Sequence, residues 1–290
     1  MKEQELLQRY EQGERDFSGL NLTGADLRRV ILIGVNFSKT NLTGANLSRA
    51  FLTKTQFNEA LLYRANLSFA KMGETRMADA DLTKTNLSGA FLVKSKLPKA
   101  NLTGANLTGA NLRRSNLSNA NLCSATLEST NLRESNLTGV NLNWANMYEA
   151  KLIAARLFHT QLTGVNFRRA YLNGIDLRAA DLNGVNFSEA KLNGANLAGA
   201  NLLATNFSRA LMRNIKLNGA NLTGANLTQA NLVRANLNWS KLYEADLSEA
   251  DLSEATFIGA NLEKAELVNT ILPASKKPKH SASLNSAFSF

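Results

Sequence analysis

Every fifth residue of this chain is large and apolar. Stepping from Phe17 through Leu22, Leu27, Leu32 and Phe37 to Leu272, all 52 positions are Leu, Phe or Met, and the frame never slips. Two residues before each of these centres, from Ala25 to Thr270, the 50 positions hold 31 Ala, 8 Thr, 4 Ser, 5 Val and 2 Ile. A period of five matches neither the 3.6 of a helix nor the 2 of a simple strand, so the chain must turn once per unit. The large and small columns predict a packed interior built by stacking copies of one short unit.

The glycines place the turn. Of 18 glycines, 16 stand two residues after a centre, as in Leu22-Thr23-Gly24-Ala25. That is the third place of a four-residue turn, where a type II turn requires positive φ. Pro98 and Pro273 fall one residue after a centre, where the same turn accepts proline. Arg, Lys or Glu at the glycine place predicts a different turn geometry, because a bulky residue tolerates positive φ poorly. The Asn and Asp that recur just before the centres are expected to hydrogen-bond locally to the backbone.

The phenylalanines set the size of a coil. Phe17, Phe37 and Phe57 are 20 apart, as are Phe167, Phe187 and Phe207. Four units per coil would stack each triplet at the inter-strand spacing of about 4.8 Å. The 52 units then make about 13 coils, in a four-sided rod roughly 60 Å long. Residues 1–14, with Leu6, Leu7 and Tyr10 on one side and Gly13 at the end, predict a short helix capping the first coil. After Pro273 the pattern stops, and residues 275–290 read as a flexible tail, with Leu284, Phe288 and Phe290 available to fold back or to form a homodimer at the last coil.

The pattern A(N/D)LXX over residues 15–274 resembles the pentapeptide-repeat family, and the opening ELLQRYEQGERDFSG is similar to the short caps of cyanobacterial members. The resemblance implies an all-β fold, a right-handed, four-sided parallel β-helix. Some relatives are known for protecting DNA gyrase, and the resemblance brings that possibility with it.

Composition narrows the function. No apolar run approaches the roughly 20 residues of a membrane helix, the charged amino terminus lacks the apolar centre of a secretory signal, and Cys123 is the single cysteine. These features together suggest a cytoplasmic setting. An interior filled by Leu and Ala leaves no cavity for catalysis. His159 reads as a surface residue and Cys123 as an outward, unreactive one, so no catalytic, metal or cofactor site is expected.

What remains is surface. Positions 20 apart share a face, and each face is labelled here by its first centre. From residue 20 onward, the Leu32 face carries 10 Lys or Arg against 4 acids and the Phe37 face 7 against 3, whereas the other two faces are near balance, so the net charge of +10 is concentrated on one corner. On the Leu32 face the position before the centre, normally Asn or Asp, is apolar or aromatic in six of thirteen coils, Ile31, Phe51, Phe91, Tyr171, Leu211 and Ile271, with Ile33, Val93, Ile153 and Val233 predicted to point outward beside them. An apolar stripe flanked by cations fits a binding surface, though such side chains also stiffen a β surface by stacking between coils. Three functions follow: a scaffold binding a protein partner through Ile31, Phe51, Phe91, Tyr171 and Leu211; nucleic-acid binding by the basic corner of Lys94, Arg113, Arg114 and Arg133; and DNA mimicry against gyrase, which a net positive chain suits worst. The first accounts for the most.

Overall fold

The computed structural model describes residues 3–274 and divides into two compact units, Met1–Gln161 and Leu162–Phe290. The predicted tail, 275–290, lies outside the described residues. Within each unit the coils are held by single-residue parallel bridges between residues 20 apart, for example Asp16 to Asn36 and Ile31 to Phe51 in the first, Tyr171 to Lys191 and Asn186 to Asn206 in the second. Four five-residue sides therefore complete one coil.

A complete accounting of backbone donors explains why five residues suffice. The N–H of a centre with a coil after it donates to the residue before the centre one coil on, as Leu22 does to the Asn41 carbonyl at 2.7 Å. The residue before a centre donates back to the small column of the previous coil, as Asn46 does to the Ala25 carbonyl at 2.9 Å. The glycine place donates forward, Gly24 to the Thr43 carbonyl at 2.9 Å. The small residue closes the turn, the Ala25 N–H reaching the Leu22 carbonyl at 3.1 Å. The fifth donor, just after the centre, goes to a side chain: the Thr23 N–H donates to Asn21 Oδ1 at 3.1 Å. The Asn and Asp column is thus a row of local caps, as expected. Where Lys191 and Leu211 replace Asn before a centre, the donor finds an Asn one coil back instead, Asn193 N–H to Asn173 Oδ1 and Arg213 N–H to Asn193 Oδ1.

The turn corrects one expectation. Among the described residues, 35 non-glycine residues have positive φ, and all stand two after a centre, at the same φ of about 50 to 60°. Arg49, Lys54, Glu134 and Trp239 take the turn that glycine takes. The left-handed penalty of about 1–2 kcal/mol per residue is real, but a different turn would break the forward bond of that residue's own N–H and misplace two columns of core residues.

Centres are buried in both units, with Leu262 of the last coil less so, and the small column lies beneath the turns. The Phe167, Phe187 and Phe207 rings stack at 5.2 Å with interplanar angles of 4°, whereas Phe17 and Phe37 lie tilted at 5.9 Å and 36°, and Phe37 and Phe57 stack less closely at 5.6 Å and 27°. Thr and Ser enter the small column because their hydroxyls find carbonyls: Thr40 donates to the Phe17 carbonyl at 2.8 Å, Thr130 to Leu107 at 2.8 Å and Ser240 to Leu237 at 2.7 Å. Among the described residues no buried side-chain polar atom lacks a partner.

Helix α1, Glu3–Glu11, precedes the first coil, with Leu6 fully buried. Gly13, at φ 99°, ends it, and the Glu14 N–H closes back on the Arg9 carbonyl at 3.0 Å. Glu3 Oε1 accepts the Asp26 N–H at 3.0 Å, a bond that holds the Glu3 carboxyl below the usual carboxylate range. The Arg15 guanidinium lies 3.9 Å from the centre of the Tyr10 ring and donates to the Tyr10 carbonyl at 2.8 Å.

Candidate interaction face

In the first unit the stripe is contiguous, because the bridges run Ile31 to Phe51, Phe51 to Lys71, Lys71 to Phe91 and Phe91 to Asn111. A residue before a centre bridges through its backbone and turns its side chain away from the core. Ile31 is accordingly 57% exposed, Phe51 44% and Phe91 43%. Lys71, between the two phenylalanines, sets its Nζ 5.9 Å from the centre of the Phe91 ring. Ile33, one place after its centre, is also exposed.

In the second unit the column continues through Tyr171, Lys191, Leu211, Asn231, Asp251 and Ile271. Leu211 and Ile271 are exposed, and Tyr171 is half-buried with Lys191 Nζ 4.3 Å from its ring centre. Val233 does not join them: it is 8% exposed, so the expectation that it points outward is wrong. A branched apolar side chain just after a centre can fold onto the coil surface, and Val233 does so where Ile33 does not.

The basic corner is less positive than its composition. Lys94 and Arg114 occupy the turn place of successive coils, their N–H groups donating to the Arg113 and Arg133 carbonyls at 3.0 Å. Glu134 then takes both neighbouring arginines, one oxygen 2.7 Å from Arg113 and the other 2.6 Å from Arg114. The hydrogen bonds from Arg114 and Arg113 hold its carboxyl below the usual range. Among the described residues Lys94 and Arg133 have no carboxylate within 4.0 Å. The second unit holds a like arrangement, in which Glu189 receives Arg168 and Arg169.

Phe69, Trp144, Phe158 and Trp239 are exposed aromatics that lie outside the stripe column, and Phe69 adjoins the stripe. Phe69 stands at a turn, two after Leu67, and is 55% exposed beside Phe51 and Lys71. Arg29 and Arg49 precede it in the same turn column, and the Arg49 guanidinium lies 5.8 Å from its ring centre. These five residues line a surface groove of about 400 Å³. A signal for Phe69 does exist in the sequence: 20 residues on stands Gly89, where a Cβ would meet the Phe69 ring at 2.5 Å. The same arrangement places the exposed Trp239 over Gly259.

No helix among the described residues is long and apolar enough to cross a membrane. His159 and Cys123 join no group of three or more potential metal ligands among the described residues.

The sequence matches a family model described as pentapeptide repeats in eight copies, the first over residues 16–49 and the last over 235–272. No curated protein matches. Among solved structures, the chain is similar to HetL, a pentapeptide repeat protein involved in heterocyst differentiation regulation from the cyanobacterium Nostoc sp. strain PCC 7120, at 27% identity over 94% of this chain and 98% of that one, with a TM-score of 0.28. It is similar to Rfr23 from the cyanobacterium Cyanothece 51142 at 27% identity over 56% and 92%, with a TM-score of 0.20. A third is QnrB1, a plasmid-mediated fluoroquinolone resistance protein, at 18% identity over 83% and 88%, with a TM-score of 0.40. The unbroken five-residue frame, the 20-residue bridges and the family model together show that this chain belongs to the pentapeptide-repeat family, with its right-handed, four-sided β-helix.

Proposed function

We propose that this protein is a non-enzymatic scaffold, in which about 13 coils spanning 15–274 and capped by α1 present the Leu32 face to a protein partner in the cytoplasm. One observation carries the reading: Ile31, Phe51 and Phe91 place exposed apolar side chains at the capping position of three out of four successive coils, with Lys71 between the two phenylalanines. An unpaired apolar patch with a cationic rim fits an interface, and an interior filled by centre and small-column side chains argues against a catalytic pocket. Nucleic-acid binding has Lys94 and Arg133 in its favour, but Glu134 pairs with both Arg113 and Arg114 and offsets one of their two charges. DNA mimicry fits poorly with a net charge of +10.

Phe51→Asp combined with Phe91→Asp tests the scaffold reading. Both side chains are outward, so the double variant is expected to keep the wild-type circular dichroism and unfolding midpoint while losing capture of its partner. A folded double variant that captures the same protein as wild type overturns it.

A further inference from the structure

The charge around the groove of the first unit says what would cover it. Arg29, Arg49 and Lys71 surround Phe51 and Phe69, and among the described residues none of these three cations has a carboxylate within 4.0 Å. Arg113 and Arg114, on the Leu32 face of the same unit, are instead paired with Glu134, so the contrast lies within one unit. Two of the free cations are already poised over rings, Arg49 at 5.8 Å from Phe69 and Lys71 at 5.9 Å from Phe91. Such a surface attracts carboxylates at its rim and apolar side chains at its centre.

The spacing selects a conformation. Ile31, Phe51, Lys71 and Phe91 occupy four successive coils, so the patch repeats at about 4.8 Å and spans about 14 Å. An α-helix laid along the stacking direction offers one apolar side chain per turn at about 5.4 Å, or about 16 Å over three turns. An extended strand offers one per two residues, about 6.8 Å, and falls out of step by about 6 Å over the same span. A lipid surface fits less well, because interfacial binding buries side chains about 5–10 Å deep, whereas these rings are half-covered by the coil face and the unbroken frame has no protruding loop.

We propose that the groove of Arg29, Arg49, Phe51, Phe69 and Lys71 receives an acidic amphipathic helix of a partner protein. The proposal rests on the scaffold reading above and specifies the chemistry of the partner.

The probe is a synthetic peptide of about 14 residues with Leu on one helical face and Glu on the other, followed by fluorescence anisotropy. The expected result is saturable binding to wild type, weakened about tenfold or more by Arg49→Glu with Lys71→Glu. Glu is compatible with the turn at position 49, because Glu59 and Glu74 adopt the same positive φ. Lys84→Glu, on the opposite Leu22 face, should leave binding unchanged. Equal binding of a scrambled, non-amphipathic peptide of the same composition overturns the proposal. So does binding to vesicles containing anionic lipid without binding to the peptide, or binding to neither. In the capture assay, loss of the partner with Phe51→Asp and Phe91→Asp but not with Arg49→Glu and Lys71→Glu overturns the acidic helix and leaves the scaffold reading standing. Capture unchanged by both double variants overturns both.

Discussion

Gly89→Ala compared with Gly109→Ala separates two costs that coincide at most glycines of this fold. Both residues occupy the turn place, at φ 62° and 66°. At Gly109 an added Cβ meets nothing within 4 Å, so the substitution carries only the left-handed penalty of about 1–2 kcal/mol. Reduced freedom of the unfolded chain offsets about 0.4–1 kcal/mol of that, and the net effect should be a destabilisation of about 1.6 kcal/mol or less. At Gly89 the Cβ would stand 2.5 and 2.6 Å from two carbons of the Phe69 ring. The ring must swing outward by about 1 Å, costing about 0.5–1.5 kcal/mol in an off-rotamer side chain and about 0.5–1 kcal/mol of its contact with Arg49. Gly89→Ala should therefore be about 1–2.5 kcal/mol less stable than Gly109→Ala. Urea unfolding read by circular dichroism, with unchanged slopes, measures the difference. In a Phe69→Ala background the two alanine variants should become equal. Equal midpoints in the wild-type background, or a gap that survives Phe69→Ala, would refute the assignment of Phe69 to the Gly89 position.

Two further outcomes test the interior and the basic corner. Leu107→Ala, at a fully buried centre, should cost about 2–5 kcal/mol, whereas Thr108→Ala should cost little because its N–H, not its side chain, engages Asn106; comparable urea midpoints would contradict this. Glu134→Gln should release Arg113 and Arg114 and make the protein elute from heparin at higher salt, and unchanged elution would mean that the two ion pairs do not form in solution. The Glu134 carboxyl should titrate below the ordinary range, so its share of stability is complete above the unfolded value near 4.3 and is lost only as pH falls through the lower folded value; a carboxyl titration followed by NMR at or above the ordinary value would contradict the pairing.

The periodic part of this fold was legible because one short unit fixes its own surroundings. Leu22, Ala25 and Asn21 each have one place and one set of partners, repeated in every coil, and the 20-residue step of Phe17, Phe37 and Phe57 is the same step that the bridges take. The turns at Arg49 or Glu134 were misjudged because the penalty of positive φ was weighed for a residue alone. In the stack that residue is held by the coil after it. Phe69 was missed because the apolar stripe was sought one place before the centre, whereas the turn place also projects side chains; its signal was the glycine 20 residues later. Val233 went astray because position in the unit fixes a backbone direction but not where a branched side chain settles. The paired arginines needed geometry, since charge counts by face cannot show that Glu134 reaches both Arg113 and Arg114.

The scaffold claim is tested most directly by affinity capture from lysate of the source organism at high salt, where exposed charge attraction is screened, with wild type beside Phe51→Asp, Phe91→Asp. The expected result is one protein retained by wild type and lost by the equally folded double variant. Retention of the same protein by both, or recovery only of nucleic acid that salt releases from both, would contradict it.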